Sequence, residues 1–361
     1  MAVAWIGDRD VPFARAVEQA AELLVSSLSP VFSLDTDVHG ARAAIFLAGQ
    51  VGAAYDHVGG DALARETALC TDRGGMFIAP GEVRRRADVI VLVGELPAAH
   101  SGFVAELATV EPDLDGDTPS ARRFFVIGDA STEVPDGIEA VRLSCDGTDI
   151  NGTLAALRAQ CLGRPVTSPV SNFDDFAKAL ADGRFPVFIS CGQSLQLLAL
   201  EMLQGLIADI NRTKRASALH LPASESGWGS TLASVWMTGF PMRTSHARGL
   251  PEFDPWRFDV SRMLADGEAD LHICVSASGD GLPEAGSGSF IALTKTEEPV
   301  PGAAVTIAIG EPEVDHDAVA YSSRIGTLTA VTAKADSGLP SAAMVLRSIT
   351  ESLPGGKALP C

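Results

Sequence analysis

The sequence predicts an α/β fold with mainly parallel sheets. Three observations carry that prediction. Strand-like and helix-like segments alternate along the chain. The run Asp88-Val-Ile-Val-Leu-Val-Gly94 is apolar on both faces, as a central parallel strand requires. The 361 residues, 46% of them hydrophobic, suffice for two domains with large cores.

Element by element, Asp10 with Pro12 opens a helix that runs to about Ser26, with Phe13, Val17, Ala20 and Leu24 on one face. Residues 30–34 read as a strand and 41–51 as a helix. After the strand at 88–94, residues 123–127 and 141–144 read as further strands of the same sheet. Ser171-Asn-Phe-Asp174 has the spacing of a capping box, for a helix ending near Gly183. Residues 186–190 form a strand that enters a long helix from about Ser194 to Asn211. A strand at 218–221 follows, then buried strands at 270–276, 290–293 and 305–309. The stretch 321–330 reads as a last strand or hairpin. No repeat of solenoid length is found.

The formal charge of -19 argues against a nucleic-acid backbone or an anionic membrane as partner. No apolar run reaches the length of a membrane span, and no signal peptide is visible. The six cysteines are scattered, with no C-x-x-C pair, which fits free thiols in the cytoplasm.

Residues 236–255 follow neither helical nor strand periodicity. Gly239, Pro241, Gly249, Pro251 and Pro255 interrupt regular structure, and Trp236, Phe240, Phe253, Arg243, His246 and Arg248 lie among them. The segment matches W-x-T-G-[FY]-P followed by R-G-x-P-x-[FY]-[ND]-P. A second stretch, Gly81-Glu-Val-Arg-Arg-Arg-Ala-Asp-Val-Ile-Val-Leu-Val-Gly94, matches G-E-V-x-x-R-A-D-V-[IV]-V-x-x-G. On these two stretches the chain resembles the B subunit of formylmethanofuran dehydrogenase, of the molybdopterin oxidoreductase superfamily. The resemblance runs from about Phe13 to Asp259.

The resemblance implies two interleaved αβα (Rossmann-like) domains without the iron–sulfur domain. Residues 1–58 plus 165–255 would form one, and 59–164 plus 256–361 the other. The crossings would fall at Gly59-Gly60 and Gly163-Arg-Pro165. In that family a cysteine cluster holds a 4Fe–4S centre, and a Cys-His-Gly-Pro segment ligates tungsten or molybdenum. Here no cysteine precedes Cys70, and the register puts the metal segment at Val58-Gly-Gly-Asp-Ala62, which has no cysteine. Cys70 lacks the His-Gly-Pro flank and reads as a small buried apolar residue.

Other candidates are weaker. Cys191-Gly192-Gln193-Ser194 lies between strand and helix, where backbone N–H groups suit a phosphate, but an ordinary βα turn is the plainer reading. Gly227-Trp-Gly229 begins a dinucleotide fingerprint that fails at Leu232, and is assigned to the irregular loop. Asp113-Leu-Asp115-Gly-Asp117 hints at a calcium loop, yet the required glutamate position is Phe124. The seven histidines form no H-x-x-x-H or H-x-H pair, and neither a nucleophile elbow nor a P-loop is present. Arg248, in the R-G-x-P pattern, could face a carboxylate or formyl oxygen, but the favoured role is a buried arginine bracing the loop.

No residue is therefore assigned to catalysis, cofactor or metal. The resemblance points most closely to the B subunit of the bacterial formyltransferase/hydrolase complex, which implies a non-catalytic scaffold. Its partners would be a formyltransferase subunit, a zinc hydrolase subunit and the C subunit of the same complex, near a methanofuran-type carrier. The alternatives are an active dehydrogenase subunit with an atypical ligand set that uses Cys70 or another residue, or a module that binds the carrier through Arg243 and Arg248.

Overall fold

The structure is a computed structural model and describes residues 3–72, 74–113, 122–129, 132–278, 282, 289–335 and 337–355. The acidic run beyond Asp113 and Cys361 lie outside the described residues.

The chain starts with β1 (Ala4–Ile6), β2 (Arg9–Asp10), α1 (Phe13–Ser26), β3 (Pro30–Asp35), α2 (Val38–Val51), β4 (Ala54–His57), α3 (Gly60–Asp72) and α4 (Pro80–Arg86). It continues as β5 (Val89–Val93), α5 (Ser101–Thr109), β6 (Arg123–Ile127), β7 (Ala140–Leu143), α6 (Ile150–Cys161), α7 (Phe173–Asp182), β8 (Pro186–Cys191), α8 (Leu197–Ile210) and β9 (Ser217–Leu221). Then come α9 (Glu225–Thr238), β10 (Thr244–Ser245), β11 (Glu252–Phe253), α10 (Val260–Ala265), β12 (Leu271–Ser276), β13 (Ser289–Thr294) and β14 (Val305–Ala308). The hairpin β15 (Ala318–Ser322) and β16 (Thr327–Val331) precedes α11 (Ala342–Ser352).

Two compact units divide these elements. One is Met1–Ala64 with Ser224–Ser322 and Thr327–Cys361; the other is Arg65–Ala223 with Ser323–Gly326. In the second unit five parallel strands stand in the order β7-β6-β5-β8-β9. The order is that of a doubly wound sheet, reversing between β5 and β8. Strand alternation explains why β5 is apolar throughout. Val89, Val91 and Val93 meet Phe125, Phe188 and the apolar stripes of α6 and α8. Ile90 and Leu92 point the other way, against Val83 of α4 and Val104 and Leu107 of α5.

The first unit holds a nine-stranded sheet, β11-β10-β4-β3-β12-β13-β14-β1-β2. Its five central strands are parallel, and β10, β11, β1 and β2 extend it antiparallel at the edges. The order of the parallel strands reverses between β3 and β12. One face is covered by α1, α2 and α11, where Val17, Ala20, Ile45, Ala48, Leu346 and Ile349 are buried with Phe32 and Ile273.

The domain boundaries expected from sequence are corrected by this pairing. Val89 pairs with Pro186, which sends residues 186–221 to the sheet of β5. Leu271 pairs with Pro30, which sends residues 271–308 to the sheet of β3. The chain crosses near residues 64 and 223, inside α3 and between β9 and α9, instead of at Gly59-Gly60 and Gly163-Arg-Pro165. Gly163 (φ 66°) ends α6, and breakers that stop a helix look in sequence like breakers at a domain crossing.

Local details also differ. Asn172 is left-handed (φ 55°) and α7 has no side-chain cap; the Ser171 hydroxyl is spent on Ser144 instead. The helix expected from Ser194 begins at Leu197, because Gly192–Ser194 form a turn first.

Candidate functional site

The irregular segment is shorter than its sequence suggests. Trp236–Thr238 are the last turn of α9, which ends at Gly239 in the left-handed conformation (φ 84°). The fingerprint-like Gly227-Trp-Gly229 lies in the first turns of the same helix, not in the loop. The Ser224 hydroxyl caps it by accepting from the Gly227 N–H at 3.0 Å. A Cβ on Gly229 would stand 3.4 Å from Val38, at the edge of ordinary van der Waals contact.

Beyond Gly239 the segment is pinned from below. Ser234 donates to the Phe240 carbonyl at 2.7 Å, and its Oγ lies 2.8 Å from the Tyr55 hydroxyl. The next residues form β10 against β4, with Thr244 opposite Tyr55. Arg243 is the anchor. It is buried, and its backbone is left-handed (φ 64°), a strained state for a residue with a side chain. Its guanidinium donates to Asp56 at 3.0 Å, to Asp61 at 2.6 Å and to the Pro255 carbonyl at 2.6 Å, and stands 3.0 Å from Asp259. Burial works against its charge, and the three carboxylates more than restore it. Burial likewise pushes the Asp56 carboxyl up to about 7, against the pull of Arg243.

Arg248, expected to be the buried brace, is instead exposed and paired with Glu252 at 3.1 Å. Bracing falls to Arg243, which the sequence pattern offered no reason to prefer. Trp236 and Leu250 of the segment face outward, 62% and 72% exposed, as does Trp256 just beyond it at 70%. Phe240 and Phe253 stack at 6.3 Å, and the Arg262 guanidinium lies 4.5 Å over Trp256.

The residues at the expected metal-ligand register, Val58–Ala62, follow directly on β4. Asp61 is held by Arg243. His57 Nδ1 accepts the Gly59 N–H at 2.9 Å, so in the neutral ring the proton lies on Nε2, facing Ser226 at 3.2 Å. Ser226 donates in turn to Asp35 at 2.6 Å, and Ser278 donates to the other Asp35 oxygen at 2.9 Å. This chain of groups lies at the carboxyl ends of β3 and β12, where the sheet order reverses. A cavity of about 170 Å³ opens there, walled by Asp35, Thr36, Ser226, Ser278 and Tyr321. The serine bridges histidine and carboxylate, so the histidine is not placed as a base between the other two. Among the described residues no cluster of three or more His, Cys, Asp or Glu side chains is arranged to hold a metal ion.

In the other unit, the turn Cys191–Ser194 is occupied from within. The Gly192 N–H donates to Glu66 at 3.1 Å, and the Ala223 N–H to the same carboxylate at 2.9 Å. Ser194 donates to the Glu95 carbonyl at 2.8 Å. Burial pushes the Cys191 thiol up to about 12, so it stays protonated. Cys70, expected to be buried, lies exposed on α3. Glu66, Asp56, His57, Asp35 and Ser226 were missed by sequence reasoning. The available signal was positional: Asp35 and Asp56-His57 close apolar strands, where doubly wound folds place their functional groups.

Two units, each built on a sheet with reversed strand order, make this a doubly wound α/β protein, and in sequence it is similar to B subunits of formylmethanofuran dehydrogenases. The B subunits of two such enzymes, tungsten-containing formylmethanofuran dehydrogenase 2 of Methanocaldococcus jannaschii and of Methanococcus maripaludis, are 21% and 20% identical over 74% of this chain and 65% of theirs. The Fhc B subunit of the formyltransferase/hydrolase complex of Methylorubrum extorquens is 31% identical over 90% of both chains. A chain in the crystal structure of that formyltransferase/hydrolase complex with methylofuran matches with a TM-score of 0.86 over 96% of this chain and 97% of its own, at 31% identity. The chain belongs to the family of Fhc B subunits. No family model matches it. No described helix is long and apolar enough to cross a membrane.

Proposed function

We propose that this chain is a non-catalytic, scaffold-type subunit of a cytoplasmic formyltransferase/hydrolase complex. The complex would move a formyl group from tetrahydromethanopterin to a methanofuran-type carrier and release formate, with the chemistry on a formyltransferase subunit and a zinc hydrolase subunit. The C subunit would complete the assembly. The observation that carries this reading is the state of Arg243. It binds Asp61, within the register where related dehydrogenases carry their metal segment, together with Asp56, Asp259 and a carbonyl. A guanidinium so engaged holds the segment to its neighbours and has little left for a substrate. The same occupancy speaks against a carrier module built on Arg243 and Arg248. Cys70, the thiol nearest the metal segment in sequence, lies on the surface of α3 and so gives an atypical metal site no enclosed cavity. Exposed Trp236, Leu250 and Trp256 suit an interface, where aromatic side chains concentrate.

The test is purification from native cells followed by elemental analysis and activity measurement. The expected result is a complex with three partner subunits, whose formyltransferase and hydrolase activities proceed with no tungsten or molybdenum bound to this chain. Stoichiometric tungsten or molybdenum anchored by this chain would overturn the reading.

A further inference from the structure

The Glu66 carboxylate lies beyond the carboxyl ends of β8 and β9, with no solvent exposure of its side chain. Four groups converge on one of its oxygens, Oε1. The Gly192 N–H donates at 3.1 Å and the Ala223 N–H at 2.9 Å. His220 Nε2 stands 3.3 Å away and the Cys191 thiol 4.0 Å away. The two backbone donors come from the loops that follow adjacent parallel strands, so the sheet itself fixes their convergence. Fixed N–H groups aimed at one point make a nest for an oxyanion. Glu66 enters it from α3, a separate element, much as a ligand would enter. The fit leaves no slack: a Cβ on residue 192 would lie 2.3 Å from Glu66 Cγ.

We propose that this nest is an oxyanion-binding site whose resident ligand is the protein's own Glu66, and that it takes a free small carboxylate once Glu66 is cut back. Beyond Cβ, the glutamate side chain is one methylene and one carboxylate, the heavy atoms of acetate. Glu66→Ala therefore removes an acetate-shaped piece and leaves the two amide donors in place. With Glu66 present, the turn after β8 does not admit a phosphate, although its strand-to-helix position otherwise suits one. How the nest is filled is separate from what the complex does, so the scaffold role can fail without touching it.

The experiment uses the full chain with whatever subunits accompany it, as wild type, Glu66→Ala and Glu66→Gln. Thermal midpoints are followed against sodium acetate and sodium formate, with chloride replaced to keep ionic strength constant. The Glu66→Ala midpoint is expected to fall below wild type and to rise along a saturating curve with acetate, less with formate. Wild type and Glu66→Gln, whose side chains fill the nest, are expected to show no acetate-specific rise. A Glu66→Ala response to acetate no larger than that of wild type overturns the proposal. If the alanine variant is insoluble, lysis in acetate and in chloride is compared. Recovery in acetate alone supports the proposal, and equal loss in both overturns it.

Discussion

Arg243 donates to Asp56 across 3.0 Å, joining residues 187 positions apart in sequence, and both side chains are buried. The pair ties the segment after α9 to the end of β4. A buried ion pair adds little net stability when intact, but removing the arginine leaves the buried Asp56 carboxyl without its donor and the segment without its anchor. Arg243→Ala is expected to cost about 3–5 kcal/mol in denaturant unfolding of the first unit. Arg243→Lys should also lose stability, because an ammonium cannot serve Asp56, Asp61 and the Pro255 carbonyl with one planar fork. Arg248→Ala, at an exposed pair, should stay within about 0.5 kcal/mol of wild type.

Stability should depend on pH through His272. This residue is buried on β12, with Nε2 2.9 Å from the Ser33 hydroxyl and its ring stacked on Phe290. Burial pulls its pKa from 6.5 down to about 4. Between those values the unfolded chain takes up a proton that the folded chain does not. The contribution is therefore intact above pH 6.5 and is lost as pH falls toward 4, by at most roughly 3 kcal/mol. His272→Gln should flatten that part of the stability profile in urea titrations at successive pH values.

Thiol reactivity should separate the cysteines. Cys70 is exposed, while Cys145, Cys191 and Cys274 are buried, and burial pushes the Cys191 and Cys274 thiols up to about 12. Brief iodoacetamide treatment of the native protein, read by peptide mass spectrometry, should modify Cys70 and spare these three. Labelling of Cys191 before unfolding would contradict the closed nest around Glu66.

Gly192→Ala should destabilise the second unit by about 1–3 kcal/mol, because the new methyl meets Glu66 Cγ. The collision disappears in the Glu66→Ala background, so a double-mutant cycle should show strong non-additivity. Additive effects would mean that the two positions do not share the space.

The outward-facing tryptophans should matter for assembly more than for folding. Trp236→Ala with Trp256→Ala is expected to leave the chain folded by circular dichroism and to reduce copurification of the partner subunits. Unchanged recovery of all subunits would remove this face from the interface.

Most of the parallel strands were legible in sequence because both faces of the central ones are covered, but β4 was missed, its four residues ending in Asp56-His57. Asp88–Gly94 and Asp270–Ser276 contain the observed β5 and β12. The hairpin at 318–331 also falls where a final strand or hairpin was expected. What sequence could not supply was partnership. Nothing local tells β3 to pair with β12 or β5 with β8, so the domain boundaries were misplaced. The two loop arginines are equivalent by type and spacing to breakers, and only the fold shows that Arg243 turns inward and Arg248 outward. Glu66 carries no local signal of its role, which appears only when the fold brings Gly192 and Ala223 to it.

The split of the first unit has a consequence for synthesis. All five strands of the second unit have been translated by residue 221, so that unit can close while the rest of the chain is still being made. β3 must wait for β12, which begins at residue 271. At roughly 5–20 residues per second the delay is on the order of ten seconds or more. For that interval β3, with β4 already available on one side, has its other apolar edge unpaired on the ribosome, and such an edge is open to pairing with another chain.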